Sequence, residues 1–173
     1  MRWIAWVGMV VLSSGCANSC EKDEAKKVSQ GFQVALPADA RALFENAETL
    51  EIFATAPDSL GLLPDAAAPE SEVFHGYKIV GRATVTDPGD RKAIVDALLG
   101  GIARHKSAMV ACNEPRHGFR ATRGAEHADI HMSFGCLHGT LYTKTSRATL
   151  LTAKDSKDDI DEMFAKYKVP SGK

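Results

Sequence analysis

Two short stretches of the chain concentrate thiol and imidazole side chains, the groups most able to bind metals or act as nucleophiles. The stretch 112–118 contains Cys112 and His117, and the stretch 131–138 contains His131, Cys136 and His138. In an exported protein, two cysteines of one domain usually form a disulfide. Closing a loop of about 25 residues stabilises a fold by roughly 3.5 kcal/mol in the chain-entropy description. We therefore predict a Cys112–Cys136 disulfide.

A metal site and a thiol enzyme are the alternatives for the same residues. Cys112, His117 and Cys136, with His131 or His138 as the fourth ligand, have the donor types of a tetrahedral zinc or copper site. The sequence contains no Cys-x-x-Cys pair, which weakens this interpretation. An enzyme would use either cysteine as nucleophile and His117 as base, but no third orienting group is evident. We assign no catalytic residue, and expect a cofactor only if the metal alternative holds.

Arg116 and His117 form a second candidate site, one that contacts an anion or another ligand. The guanidinium group of arginine suits a carboxylate because it donates two parallel hydrogen bonds. The structural alternative for Arg116 is an ion pair with Glu114 or a hydrogen bond to a carbonyl at the end of a strand. Either interpretation places these side chains at the end of a strand rather than within a helix.

The segment from 74 to 142 resembles a group of uncharacterised bacterial proteins, many of which are exported. Their pattern is a His-Gly pair after Phe, then Cys-x-x-Pro-Arg-His, then Cys-Phe-x-Cys. The matching residues here are Phe74-His75-Gly76, Cys112 with Pro115-Arg116-His117, and Phe134 with Cys136. Ser133 replaces the first cysteine of the last motif. The resemblance implies that this block is one unit, and brings no activity with it.

The N-terminus has the three-part organisation of a secretory signal. Arg2 provides a positive start, the run 3–12 is apolar, and the small residues 13–15 follow. Ten residues at 1.5 Å each span about 15 Å, half of a bilayer core of about 30 Å. The segment is therefore too short to be a transmembrane anchor, and we interpret residues 1–15 as a signal peptide.

Cys16 follows these small residues directly, and the sequence 12–16 resembles the lipobox of bacterial lipoproteins. The match departs from the family in one place, because Ser13 stands where Leu is usual and Leu12 lies one residue earlier. The resemblance implies that Cys16 is the lipidated N-terminus of the mature chain. Ala17 then implies the outer membrane of a Gram-negative cell, facing the periplasm. The alternative is ordinary signal cleavage after Ala17.

The remaining sequence predicts a flexible tether and one α+β domain. Residues 16–36 are charged and poor in large apolar groups, and Cys20 lies among them. From 37 to 173 the apolar spacing predicts helices near 38–47, after Asp87, and near 157–168. Alternating segments near 50–54, 74–86, 108–112, 118–123, 128–134, 139–145 and 148–152 predict strands. We expect a single antiparallel sheet of five to six strands with two or three helices on one face.

The apolar alternation of two neighbouring strands also predicts their register. Pairing Phe119 with Met132 and Ala121 with Ile130 places the apolar side chains on one face. Arg120 would then lie opposite His131, and residues 124–127 would form a four-residue loop. A disulfide in this register requires a three-residue bulge at 113–117, which would bring Cys112 opposite Cys136 and expose Arg116 and His117 to solvent.

Composition excludes some classes of partner. The formal net charge is −1 and the pI is about 6.6, so no basic surface is available for a nucleic acid. Neither common glycine-rich phosphate loop is present. The sequence thus predicts an envelope lipoprotein, held at the membrane by its lipid, with a non-enzymatic binding or structural domain. The alternative is a periplasmic zinc or copper protein.

The anchor is testable by fractionation. Two or more acyl chains hold a protein stably on a membrane, whereas one does not. Replacing Cys16 with serine should therefore move the protein from the membrane fraction to the soluble periplasm. A wild-type protein that is already soluble and begins at Asn18 would contradict the prediction.

Overall fold

The structure, a computed structural model, describes residues 32–33, 35–59, 71–105 and 111–171. The predicted signal peptide, Cys16, Cys20 and most of the predicted tether lie outside these ranges. The same holds for most of the predicted 108–112 strand. None of the described helices has the length and apolarity needed to span a bilayer.

Three α-helices occur in the described residues: α1 at Ala38–Glu45, α2 at Pro88–Ala103 and α3 at Ser156–Lys166. The start of α2 agrees with the sequence prediction. Asp87 caps it by accepting a hydrogen bond of 2.8 Å from the backbone N–H of Asp90, and Pro88 occupies the first turn. Proline is favoured there because its missing N–H has no partner within a helix.

Eight strands are described, and they form one sheet in the order β1-β8-β7-β6-β5-β2-β4-β3. Their bounds are β1 Phe32–Gln33, β2 Thr49–Thr55, β3 Val73–Phe74, β4 Tyr77–Val85, β5 His117–Arg123, β6 Glu126–Ser133, β7 His138–Tyr142 and β8 Arg147–Leu151. The α+β class and the antiparallel pairing of β2 to β8 agree with the prediction, but the predicted count of five to six strands is too low. The two-residue strands β1 and β3 are too short to show a periodic pattern, and β1 pairs parallel to β8.

The predicted register between β5 and β6 is wrong by two residues. Phe119 lies opposite Ile130 and Ala121 opposite Ala128, so that Arg120 faces Asp129. The connecting turn contains two residues, Gly124 and Ala125, instead of four, and Gly124 has the positive φ of +57° that such a tight turn needs. A shift of two residues leaves every side chain on the same face, so the apolar pattern cannot distinguish these registers.

The core lies between one face of the sheet and the three helices. Leu98 of α2 and Phe164 of α3 are fully buried against strand residues such as Ile52, Phe119 and Ile130. Ile94 and Ile102 extend the buried stripe of α2 one turn in each direction, as the sequence predicts. The described helices therefore cover one face of the sheet and leave the opposite face uncovered by helices.

Gly101 is needed for close packing, although it lowers the intrinsic stability of α2. A Cβ at this position would lie 2.3 Å from Oγ of Ser156 and 2.8 Å from Oγ1 of Thr152. The carbonyl of Gly101 also accepts a 2.9 Å hydrogen bond from the backbone N–H of Ala153. The glycine thus allows the start of α3 to approach α2 closely.

The burial of Leu98 gives a quantitative test of this core. Leu98→Ala should lower the free energy of unfolding by about 2–5 kcal/mol, since it leaves a cavity against the sheet. Leu99→Ala on the same helix is the matched control, because Leu99 is only partly buried and should lose less. Urea denaturation of both variants measures the difference. A loss below about 1 kcal/mol for Leu98→Ala would contradict the described packing.

Candidate functional site

The sheet face opposite the helices contains a concave cavity of about 710 Å³. This volume lies within the 300–1,000 Å³ range of typical small-molecule sites. The side chains around it are mostly polar or aromatic: His75, Tyr77, Asn113, Pro115, His131, Ser133, His138, Gly139, Thr140, Tyr142, Arg147 and Thr149.

The floor of the cavity is formed by alternate residues of β6, β7 and β8. His131 lies opposite Thr140, which in turn lies opposite Thr149, so that three polar side chains cross the sheet in one row. Ser133 and His138 form a second opposed pair beside this row, two residues away along β6 and β7. Directly opposed side chains on adjacent strands have Cβ atoms about 5 Å apart, which makes the floor a continuous polar surface.

The first wall is the segment 112–116, and the predicted disulfide holds it. Cys112 and Cys136 are bonded, with their Cα atoms 5.5 Å apart. Cys136 ends a short 3₁₀ turn, Phe134–Cys136, immediately before β7. The carbonyl of Pro115 accepts a 2.8 Å hydrogen bond from the hydroxyl of Thr55, which fixes the wall to β2 as well.

The predicted bulge that would expose Arg116 and His117 is not what the structure shows. Residues 112–116 precede β5 without pairing as a strand, and His117 begins it. His117 is only 2% exposed, and its Nε2 lies 2.9 Å from Oδ1 of Asp161 on α3. The expectation of a solvent-facing His117 is therefore wrong, because its position on β5 directs it to the helix face. Arg116 forms the ion pair with Glu114 at 3.6 Å that the structural alternative anticipated.

The second wall is the turn between β3 and β4. His75 has a φ of +50°, and Gly76 follows it at +87°. The imidazole of His75 stacks in parallel on the ring of Tyr142, with 3.6 Å between the ring centroids. Its Nε2 lies 2.8 Å from Oδ2 of Asp129. A left-handed residue that is not glycine is costly, so these contacts hold the turn in place.

Asp129 is a buried carboxylate beneath this wall. Its two oxygens receive hydrogen bonds of 2.8 and 2.7 Å from Nε and an Nη of Arg120, in addition to the contact with His75. Burial alone would raise the pKa of Asp129, but the bonds from Arg120 and His75 outweigh it and lower the pKa below its usual value. Asp129 therefore stays ionised at neutral pH.

His131 is a neutral histidine at the β6 end of the polar row that forms the floor. Burial, with smaller effects from His75 and His117, lowers the pKa of His131 to about 3. Its Nε2 lies 2.8 Å from Oγ1 of Thr55, whose own proton is donated to Pro115. Nε2 of His131 must then carry the hydrogen and donate it to Thr55, which leaves Nδ1 as an acceptor.

His138 has a buried ring nitrogen whose bonding capacity is unused. Nδ1 of His138 has no hydrogen-bond partner among the described residues. Burial also lowers the pKa of His138, so the ring is neutral at physiological pH. An unpaired buried polar atom is costly, and such atoms are often satisfied by a ligand or water.

The four residues of the metal alternative are not grouped as ligands. Cys112 and Cys136 are bonded to each other, and His117 bonds Asp161 on the helix side of the sheet. Within the described ranges, no three His, Cys, Asp or Glu side chains are grouped so as to hold a metal ion.

Most of the cavity could not be predicted from the sequence. His75 is distant in sequence from Tyr142 and Arg147, and each alone resembles an ordinary polar residue of a turn or strand. Ser133 and His138 lie inside the stretch that the sequence singled out, although for a different role. The opposed charges of Arg120 and Asp129 were a usable signal, because two charged residues on one face of adjacent strands favour the register that pairs them.

Comparisons with known proteins add little to this site. No protein-family model matches the sequence, and no curated protein is significantly similar to it. A solved structure described as a "putative lipoprotein" from Clostridium perfringens aligns with 77% of this chain and 97% of its own. The identity is 17% and the TM-score is 0.41. A likeness this low supports no conclusion about function.

The lowered pKa of His131 gives a pH dependence with a definite sign. In the unfolded chain, His131 becomes protonated below its ordinary pKa of about 6.5. In the folded protein it stays neutral until about pH 3. The free energy of unfolding should therefore fall with decreasing pH in this window, by up to about 1.4 kcal/mol per pH unit from His131.

Urea denaturation between pH 7.5 and 5 measures this slope. His131→Gln should make it shallower, since glutamine can still donate a hydrogen bond to Thr55 but does not titrate. His127→Gln is the matched control, because His127 is exposed at the start of β6. Equal slopes for wild type and His131→Gln would show that His131 does not resist protonation.

Proposed function

We propose that this chain is an exported lipoprotein whose folded domain binds a small molecule in the cavity between 112–116 and the β3–β4 turn. The lipid on Cys16 would hold the domain at the periplasmic side of the outer membrane. The apolar run 3–12, the small residues before Cys16 and the charged tether support this address. A disulfide between Cys112 and Cys136 agrees with it, since such bonds persist in oxidising compartments.

The observation that supports binding most strongly is the cavity itself. It is of ligand size, its floor is a row of polar side chains, and Nδ1 of His138 has no hydrogen-bond partner among the described residues. A sheet face that was only exposed to solvent would not require a loop held by a disulfide on one side and a turn with a left-handed non-glycine residue on the other. We infer that these walls exist to define a binding site.

Binding is favoured over catalysis and over metal storage by the state of the reactive groups. Both thiols of the described domain are in the disulfide, so neither is a nucleophile or a thiolate ligand. The hydroxyl of Ser133 accepts a hydrogen bond of 3.2 Å from the backbone N–H of Glu114, and among the described residues no basic side chain is hydrogen-bonded to it. The zinc or copper alternative would use these two sulfurs as thiolate ligands, and within the described ranges they are bonded to each other.

The proposal is tested by filling the cavity with a large side chain and measuring which small molecules co-purify with the protein. Thr140→Trp should occupy the centre of the floor, whereas Thr145→Trp adds the same ring in the exposed β7–β8 turn. Full-length wild type and both variants would be purified from native membranes and denatured, and released small molecules identified by mass spectrometry. We expect a small molecule from wild type and Thr145→Trp, and at least a tenfold lower yield from Thr140→Trp.

A second variant keeps this test decisive if Thr140→Trp does not fold. Thr149→Trp enters the same floor from β8, and circular dichroism reports whether each variant is folded. Equal small-molecule content in wild type and in a folded floor variant would contradict the proposal.

A further inference from the structure

The charge around the cavity indicates what kind of molecule it accepts, provided that the proposed function holds. Among the cavity's described lining residues there is no Asp or Glu, and Arg147 is the one Lys or Arg. A site without carboxylates does not attract cations, and an arginine at its rim attracts anions. We infer that the cavity binds a small organic anion, with Arg147 as its charged contact.

The buried carboxylate of Asp129, which lies beneath the β3–β4 turn, does not contradict this inference. Asp129 receives two hydrogen bonds from Arg120 and contacts His75, and it is only 1% exposed. Its negative charge is thus balanced within the protein before any ligand arrives. An anion in the cavity would therefore lie near the Arg120–Asp129 ion pair rather than near an isolated carboxylate.

The hydroxyl groups of the lining offer hydrogens to an acceptor. The oxygen of Tyr77 accepts a 2.9 Å hydrogen bond from the side-chain amide of Asn113, so its own proton is available. Ser133 likewise accepts from Glu114 and keeps its proton to donate. Thr149 adds a third hydroxyl on the floor. Several donors converging on one space suit the oxygens of a carboxylate or a phosphorus oxyanion.

Arg147 is positioned by an aromatic stack rather than by an acid. Its guanidinium carbon lies 5.0 Å from the centroid of the Tyr142 ring, which stacks on His75. No described carboxylate forms an ion pair with Arg147. A guanidinium held over a ring keeps its N–H edge for a planar, bidentate contact, which is the geometry that a carboxylate needs.

Four probes of similar shape distinguish the charge of the ligand. Benzoate and phenylphosphonate are anions, benzamide is neutral, and benzamidine is a cation. Each would be titrated into the full-length protein while the backbone amide signals of Thr140 and Thr149 are followed by NMR. We expect one or both anions to shift these signals with the lowest Kd.

Substitution of Arg147 tests the assigned contact. Arg147→Gln should weaken binding of the anion about fivefold to tenfold, as expected for a charge-assisted hydrogen bond at an exposed rim. Arg147→Lys keeps the charge but not the planar edge, so its loss should be smaller. Arg123→Gln at the exposed end of β5 makes the same charge change away from the cavity and should bind like wild type.

The outcomes separate this inference from the proposed function. Tighter binding of benzamide or benzamidine than of either anion would overturn the inference while leaving a cavity that binds small molecules. An anion whose affinity is unchanged by Arg147→Gln would overturn the role of Arg147. If none of the four probes shifts the cavity signals and the purified protein carries no small molecule, both proposals are wrong.

Discussion

The buried carboxylate of Asp129 is the constraint on which the cavity face depends. An ionised group removed from water costs several kcal/mol unless opposite charge and hydrogen bonds compensate for it. Arg120 provides both from the facing strand, and His75 provides a further contact from the β3–β4 turn. The turn is thereby drawn over the sheet, where His75 stacks on Tyr142 and Tyr142 supports Arg147. The contact between Asp129 and His75 thus helps to hold this wall against the sheet.

The same charge explains why β5 and β6 pair as they do. The apolar residues of the two strands fit equally well when shifted by two, because such a shift keeps each side chain on its face. On the polar face the two registers differ sharply. The predicted register leaves Asp129 without Arg120 directly opposite, whereas the observed register joins them through two hydrogen bonds. Electrostatics on the polar face and the two-residue turn at Gly124, rather than burial on the apolar face, favour the observed pairing.

These relations also show which parts of the structure the sequence could predict. Helix α2 was predictable because Asp87, Pro88 and the stripe through Leu98 are local signals, and the disulfide because two cysteines in an exported domain have few alternatives. The two-residue strands β1 and β3 carry no periodicity. The cavity joins His75, Asn113, His131 and Arg147 from separate segments, and the alternation that identifies a strand marks their face only as the polar one. No local sequence pattern indicates that this polar face forms a cavity.

The stability of the cavity's first wall depends on a disulfide, and therefore on the oxidising compartment that we expect for this protein. Residues 112–116 are not part of a strand, so few backbone hydrogen bonds hold them, among them those of Arg116 to Met132 and Thr55. The Cys112–Cys136 bond joins the start of this segment to the turn between β6 and β7. On the helix side of the sheet His117 is secured independently by Asp161, which makes it part of the core packing. The two sides therefore depend on different bonds. The helix side needs only its own packing, whereas the cavity keeps its first wall through a bond that an oxidising environment preserves.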